Sequence, residues 1–299
     1  MATDLSEYLV IAVSSRALFN LEVENTIFET EGLEAYRRYQ LERQEQILEP
    51  GVAFDLVRKI LAVNLLEGLP RRIEVVIVSR NNVELALRIS RSLDHYGLSI
   101  TRSAWTSGTP LSRYLGAFGV DLFLSADPAD VQAAINGGIA AARILPDVLR
   151  KARADSHEIR IAFDGDAVLF SDESERIYQQ HGLEAFLEHE KANANQPLPD
   201  GPFARLFRNI AMIQSGFTPE QQPIRTALVT ARSSPAHERV IRTLAAWEVR
   251  IDEAFFLGGM PKQAIIDSFA PDLYFDDQDV HCLAGASVAP TGQVPWRQG

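Results

Sequence analysis

Asp164-Gly165-Asp166 closes the apolar run Ile159-Arg160-Ile161-Ala162-Phe163. It is followed along the chain by Thr230 after Ala227-Leu228-Val229, Lys262 after Gly258-Gly259-Met260-Pro261, and Asp276-Asp277 after Leu273-Tyr274-Phe275. Three of these landmarks are polar groups at the end of an apolar segment of strand length, where open α/β sheets carry their ligand crevice. Together they supply a nucleophilic carboxylate, a second carboxylate, a hydroxyl, an ammonium and a pair of acids. That set suits phosphoryl transfer through an aspartyl-phosphate. At an extended strand end, residues i and i+2 point the same way, so Asp164 and Asp166 can address one phosphorus, and Gly165 between them lets the backbone approach an anion. Lys262 precedes a helix start, where a cation is disfavoured unless an anion binds there. Asp276 and Asp277 put like charges side by side, which is costly unless a cation such as Mg²⁺ shares the site. A lone Asp-Gly-Asp is ordinarily a plain turn; the order and setting of all four landmarks favour a site.

These groups need a scaffold that brings strand ends together. The β-branched runs Ile73 to Val78, Arg225 to Val229 and Asp272 to Phe275 read as buried strands. Val83 to His95 and Ala236 to Trp247 read as helices, with Pro235 suited to a helix start. Alternating β and α elements predict an α/β fold, with a mostly parallel sheet covered by helices on both faces. Residues 171–223 separate the first two landmarks. They carry a charged helical part, Glu175 to Ala192, then a turn-rich stretch from Asn193 to Gly201, and read as a small helical cap insertion over the crevice.

The chain also resembles itself. Ile11 to Phe19 matches Ile161 to Phe170, Gly32-Leu33-Glu34-Ala35-Tyr36 matches Gly182-Leu183-Glu184-Ala185-Phe186, and Val120 to Leu124 matches Pro271 to Phe275, at a displacement of about 150 residues throughout. Tandem duplication is the expected origin, with halves at 1–150 and 151–299 and a junction near Arg150 to Glu158. The halves differ in chemistry. Opposite Asp164, Asp166, Lys262 and Asp276-Asp277 the first half has Ser14, Arg16, Leu111 and Ser125-Ala126, and only the hydroxyl persists, Ser79 for Thr230. The first half therefore reads as catalytically dead.

Composition narrows the class. With 46% hydrophobic and 23% charged residues over 299 positions, a sizeable soluble core is expected. A net charge of -11 argues against a nucleic-acid polymer as partner. Met1 to Glu7 lacks the basic start of a secretory signal and no apolar stretch is long enough for a bilayer, so a cytoplasmic, membrane-free protein is expected. A single cysteine, Cys282, excludes an internal disulfide framework. His95, His157, His181, His189, His237 and His281 show no metal-ligand spacing, and Asn136-Gly137-Gly138 is too short a glycine signal for a dinucleotide site.

Asp164 to Leu169, Thr230, Lys262 and Asp276-Asp277 resemble the four motifs of the haloacid dehalogenase phosphohydrolases. More narrowly, Ala162 to Arg176, Leu228 to Ser233, Phe256 to Lys262 and Phe275 to Gln278 resemble the cytosolic type I 5′-nucleotidases, and Val13 to Phe19 extends the likeness to the first half. The resemblance implies two tandem Rossmann-like, haloacid dehalogenase-like halves and hydrolysis of nucleoside 5′-monophosphates. In that scheme Asp164 is the nucleophile, Asp166 the general acid and base, and Gly165, Thr230 and Lys262 bind the phosphate. Mg²⁺ would lie between the Asp164 carboxylate, the Asp166 carbonyl and Asp276 or Asp277. Phe170, Tyr178, Phe186 and His189 are the candidate base contacts, though aromatics at helical spacing are more often core. Arg16 is a candidate contact for a nucleotide effector or the substrate, with a structural role the more favoured reading, and a homo-oligomer is compatible with the sequence. Two alternatives stay open: a phosphatase of another small phosphate ester, and a non-enzymatic phospho-receiver or nucleotide sensor.

Overall fold

The computed structural model describes residues 4–146 and 158–298, so His157 and nearly all of the expected junction lie outside the described residues. The fold is mixed α/β. Ten strands, β1 (Tyr8–Val13), β2 (Arg72–Ser79), β3 (Arg102–Trp105), β4 (Leu122–Ser125), β5 (Ala140–Ile144), β6 (Ile159–Phe163), β7 (Ile224–Thr230), β8 (Glu253–Phe256), β9 (Leu273–Asp276) and β10 (Thr291–Gln293), form one sheet in the order β3-β2-β1-β4-β5-β10-β9-β6-β7-β8. Every neighbouring pair is parallel except β5 with β10. The strands β1 to β5 and β6 to β10 thus repeat one order and meet back to back. Sequence patterning foresees parallel strands in each half but not their union, because β10 is three residues, Thr291-Gly292-Gln293, with no apolar run to announce it.

The union is sealed by reciprocal contacts. Helix Phe54–Val63 sends Lys59 to Asp272 at the entrance of β9, Nζ to Oδ1 2.8 Å. Helix Ala204–Gln214 sends Asn209 and Arg205 to Asp121 at the entrance of β4, at 3.1 and 2.9 Å. Each aspartate also accepts a backbone N–H from the neighbouring strand, Asp121 from Val10 and Asp272 from Arg160. Between the two helices and the sheet, Leu9, Ile11, Ile60, Ile161, Leu206 and Ile210 belong to one continuous apolar core.

The expected cap region splits in two. Helix Glu173–Ala192, broken at Gly182 (φ 81°), crosses the strand ends, whereas helix Ala204–Gln214 is buried against the sheet. Nor is this arrangement confined to the second half: helices Glu22–Glu31 and Leu33–Glu42, broken at Gly32 (φ 82°), take the same place over β1 and β2. Among the described residues, no helix is long and apolar enough to cross a membrane.

Gly201 shows how tightly the cap is tied down. It donates to Leu169 O, and a Cβ there would lie 2.3 Å from Phe170 O and 2.5 Å from Val168 O. These are backbone atoms that cannot swing aside. Gly201→Ala is expected to cost about 1–3 kcal/mol, read as a lowered urea midpoint at unchanged slope.

Candidate active site

Register places the acids. In the parallel pair β6–β9, Phe163 sits beside Phe275, and the Asp164 N–H donates to Phe275 O, so Asp164 and Asp276 emerge side by side at the carboxyl end of the sheet. Asp277 follows, and oxygens of Asp164, Asp276 and Asp277 all lie within 4.8 Å of one another in buried surroundings. On the other side, β7 ends at Thr230, which is 1% exposed and accepts from the Arg232 N–H.

One ammonium holds two of these acids. Lys262, the residue before helix Gln263–Phe269, places Nζ 2.8 Å from Asp164 Oδ1 and 2.7 Å from Asp276 Oδ2. Tyr274 donates its hydroxyl to the same Asp276 oxygen. Burial alone would pull Lys262 down, but Asp164 and Asp276 outweigh it and keep the amine charged. Three carboxylates against one ammonium remain under-compensated. Burial pushes Asp164 well above its ordinary value, with Lys262 opposing and Asp276 and Asp277 reinforcing the rise. Burial, helped by Asp276 and opposed by the Trp296 hydrogen bond, pushes Asp277 up to about 7. Trp296 Nε1 donates to Asp277 Oδ2 at 2.6 Å, while Asp277 Oδ1 is buried with no hydrogen-bond partner. An orphaned carboxylate oxygen inside a buried acidic trio is a donor set that a hard divalent cation fits.

Asp166 stands apart from the trio. After an extended Asp166 (φ -70°, ψ 141°) the chain turns tightly through Gly165–Leu169, and the left-handed residue of that turn is Ala167 (φ 61°). Gly165 is therefore not demanded by conformation, and a Cβ on it would make only ordinary 3.5 Å contacts with Leu228, Phe170 and Thr230. Both Asp166 oxygens are gripped by Arg232, at 2.7 and 2.6 Å. Arg232 also donates to Glu190, whose other oxygen takes Arg239 at 3.0 Å and Ser174 at 2.8 Å. Sequence reasoning passed over Arg232, Glu190 and Tyr274. Arg232 lies inside a motif string, yet no local signal says which acids it will face.

The proposed base contacts separate. Phe170 is fully buried and packs on Trp247, centroids 5.5 Å apart, because the turn at 165–169 folds it inward; it has no face left for a base. Tyr178 is half exposed and meets Phe186 edge to face at 6.3 Å, and the Arg232 guanidinium lies 5.4 Å over the Phe186 ring. His189 lies 3.2 Å from Glu190, behind Arg232. Beside the turn, a cavity of about 470 Å³ is bounded by Ala167, Ser171, Arg176 and Trp296.

Comparison with known proteins decides the family: the model described as 5-nucleotidase, 5′-nucleotidase, matches residues 1–299. The chain belongs to the 5′-nucleotidase family. Human cytosolic 5′-nucleotidase 1B is 40% identical over 283 residues, which is 91% of this chain and 46% of that protein, so the chain spans about half the length of this relative. A solved chain from a structure of a Pnkp1/Rnl/Hen1 complex aligns over 98% of this chain and 97% of its own, at 14% identity and a TM-score of 0.33, a likeness too weak to bear on the fold. Within a 5′-nucleotidase family member, a buried acid trio beside a charged lysine is chemistry suited to a phosphate monoester.

Proposed function

We propose that the chain is a Mg²⁺-dependent 5′-nucleotidase that hydrolyses nucleoside 5′-monophosphates through an aspartyl-phosphate. The observation that carries this reading is the convergence of Asp164, Asp276, Asp277 and Lys262 at the carboxyl end of the sheet in a member of this family. In the same reading the chain is a tandem duplication of haloacid dehalogenase-like halves, 1–150 and 151–299; the repeated strand order supports it.

Asp164 attacks phosphorus in line: a bond forms between its carboxylate oxygen and phosphorus as the bond from phosphorus to the 5′-oxygen breaks. Asp166 gives the proton that the departing nucleoside oxygen needs, then takes one from the water that cleaves the acyl phosphate. Lys262 and Thr230 hold phosphoryl oxygens as charge shifts onto them. Asp164, the Asp166 carbonyl and Asp276 or Asp277 would hold Mg²⁺, which when bound neutralises charge on the phosphate. Arg232 sets where Asp166 points, and one of its two bonds to Asp166 can persist while the other carboxyl oxygen carries the transferred proton.

Phosphate release from a panel of 5′-nucleotides, with and without Mg²⁺, tests the reading. Release from at least one nucleoside 5′-monophosphate, abolished by chelation, is expected. Turnover confined to sugar phosphates or other esters, or indifferent to chelation, would sink it.

Metal binding should also show in stability. A carboxyl raised above its ordinary 3.8, as Asp277 is to about 7, gives metal-free protein a stability contribution complete below that lower value and lost as pH climbs through the higher one. Mg²⁺ needs the ionised acids and competes with their protons. Its gain in Tm is therefore expected to be small at about pH 5.5 and larger at about pH 8. Equal gains at both pH values in thermal-shift measurements would place the metal away from these acids.

A further inference from the structure

A cavity of about 720 Å³ lies in the first half, over the carboxyl ends of β1, β2 and β4. It occupies the position that the acid site takes over β6, β7 and β9. Its volume suits a drug-sized ligand. The phosphate machinery has gone from it: Ser14, Ser79, Leu111 and Ser125 line it where Asp164, Thr230, Lys262 and Asp276 stand in the other half.

The aromatic pair has not gone. Phe28 and Tyr36 meet edge to face at 5.9 Å and 81°, and Tyr178 and Phe186 meet at 6.3 Å and 82°. Phe28 and Tyr178 are each about half exposed, at 51% and 48%. Tyr36 reaches Asn81, its hydroxyl donating to Oδ1 at 3.1 Å, where Phe186 lies under Arg232.

Charge in the first cavity is internally balanced. Arg16 is held by Glu22 at 2.7 Å, Arg37 by Glu84 at 2.7 Å, Arg80 by Asp130 at 2.5 Å and Glu24 by Arg88 at 2.6 Å, while Asp127 caps helix Pro128–Asn136. A phosphate dianion meets no uncommitted cation here. What the cavity offers is neutral hydrogen bonding. Ser15 Oγ is 2.9 Å from Ser79 Oγ and accepts from the Asn81 amide at 2.8 Å, and the lining atom Asn82 Oδ1 is buried without a hydrogen-bond partner.

We propose that this cavity binds a neutral nucleoside without metal, its base against Phe28 and Tyr36 and its hydroxyls on the serine and asparagine floor. The proposal rests on reading Tyr178 and Phe186 as the base contacts of the phosphate-bearing site, and it identifies the ligand as the dephosphorylated product class rather than the substrate.

Calorimetric titration of the whole chain with a panel of purine and pyrimidine nucleosides in EDTA tests it. One nucleoside should bind wild type, bind at least about tenfold more weakly to Phe28→Ala, and bind with little change to Phe186→Ala. Phe28 is half exposed, so the variant is expected to fold, and hydrogen exchange of wild type gives an independent readout. Saturating nucleoside should slow exchange in 22–42 rather than 173–192. The proposal is overturned by no binding across the panel, by binding that is lost in Phe186→Ala but kept in Phe28→Ala, or by protection confined to 173–192. Metal-free binding of inorganic phosphate that slows exchange in 22–42 would equally overturn it. Nucleotidase activity is read separately on the Mg²⁺ panel, so loss of that reading and loss of this one give different results.

Discussion

Asp164→Asn is expected to abolish phosphate release, by roughly four orders of magnitude or more in kcat. An amide is a poor nucleophile, and no other described carboxylate occupies the end of β6 beside Lys262. The substitution is nearly isosteric, and the amide oxygen can still accept from Lys262 at the 2.8 Å now seen. Nucleotide should therefore still bind to within about tenfold, so the defect falls on kcat rather than on KM. Rapid-quench measurement with labelled nucleotide checks it: wild type should form acid-stable labelled protein within one turnover and the variant none. A variant that keeps near-native release would rule out covalent transfer to Asp164.

The second large effect is expected at Arg232. Its side chain is 2% exposed and its fork neutralises two acids at once, Asp166 at 15% exposure and Glu190 at 0%. Burial alone would raise Glu190, but Arg232 and then Ser174 and Arg239 outweigh it and hold the acid below its ordinary range. Arg232→Met leaves Glu190 with Arg239 and Ser174 only, and Asp166 without its fork. A loss of about 3–5 kcal/mol in unfolding free energy follows from stranding buried charge. A kcat lowered by about a hundredfold follows from an unanchored Asp166. Arg232→Lys should recover part of the stability but not the geometry, since one ammonium cannot hold both Asp166 oxygens and Glu190 together. Chemical denaturation and steady-state kinetics on the two variants separate the effects. Native stability in Arg232→Met would mean that Glu190 is neutral in the fold.

The first half shows the same buried network with its charges redistributed. Arg88 takes the place of Arg239 and Asn81 that of Arg232; the acid moves from position 190, where the first half has Gln40, to Glu24 opposite Ser174. Arg88 donates to Glu24 at 2.6 Å and to Gln40 at 3.2 Å. One arginine with one acid suffices once there is no Asp166 to orient.

The convergence of Asp164, Asp276 and Asp277 at the strand ends was legible because its information is local. An apolar run that leads into an acid, a hydroxyl or an acid pair announces a strand end at the crevice: β6 runs into Asp164, while β7 ends on Thr230 and β9 on Asp276. Where partners come from distant segments, sequence says little. Asp166 and Arg232 are 66 residues apart, and Lys262 could be placed beside an anion but not specifically between Asp164 and Asp276. Phe170 misled for a different reason. Proximity along the chain suggested proximity to substrate, but the left-handed turn at Ala167 reverses the path and sends the ring into the core. The cap misled because helix Ala204–Gln214 follows the loop in sequence while belonging, by its buried Leu206, Phe207 and Ile210, to the sheet.

The antiparallel join of β5 to β10 ties the first five strands to the strands that carry the acid trio. Gly292 pairs with Ile144 and Gln293 with Arg143, and Leu145 N–H donates to Thr291 O. Remove β5, and the strand next to the one bearing Asp276 becomes an open edge, a template for self-association. Remove helix Phe54–Val63 as well, and Lys59 would no longer brace Asp272, at the entrance of the strand that ends in Asp276. The first five strands thus serve the second five as masonry, closing the edge beside the candidate site.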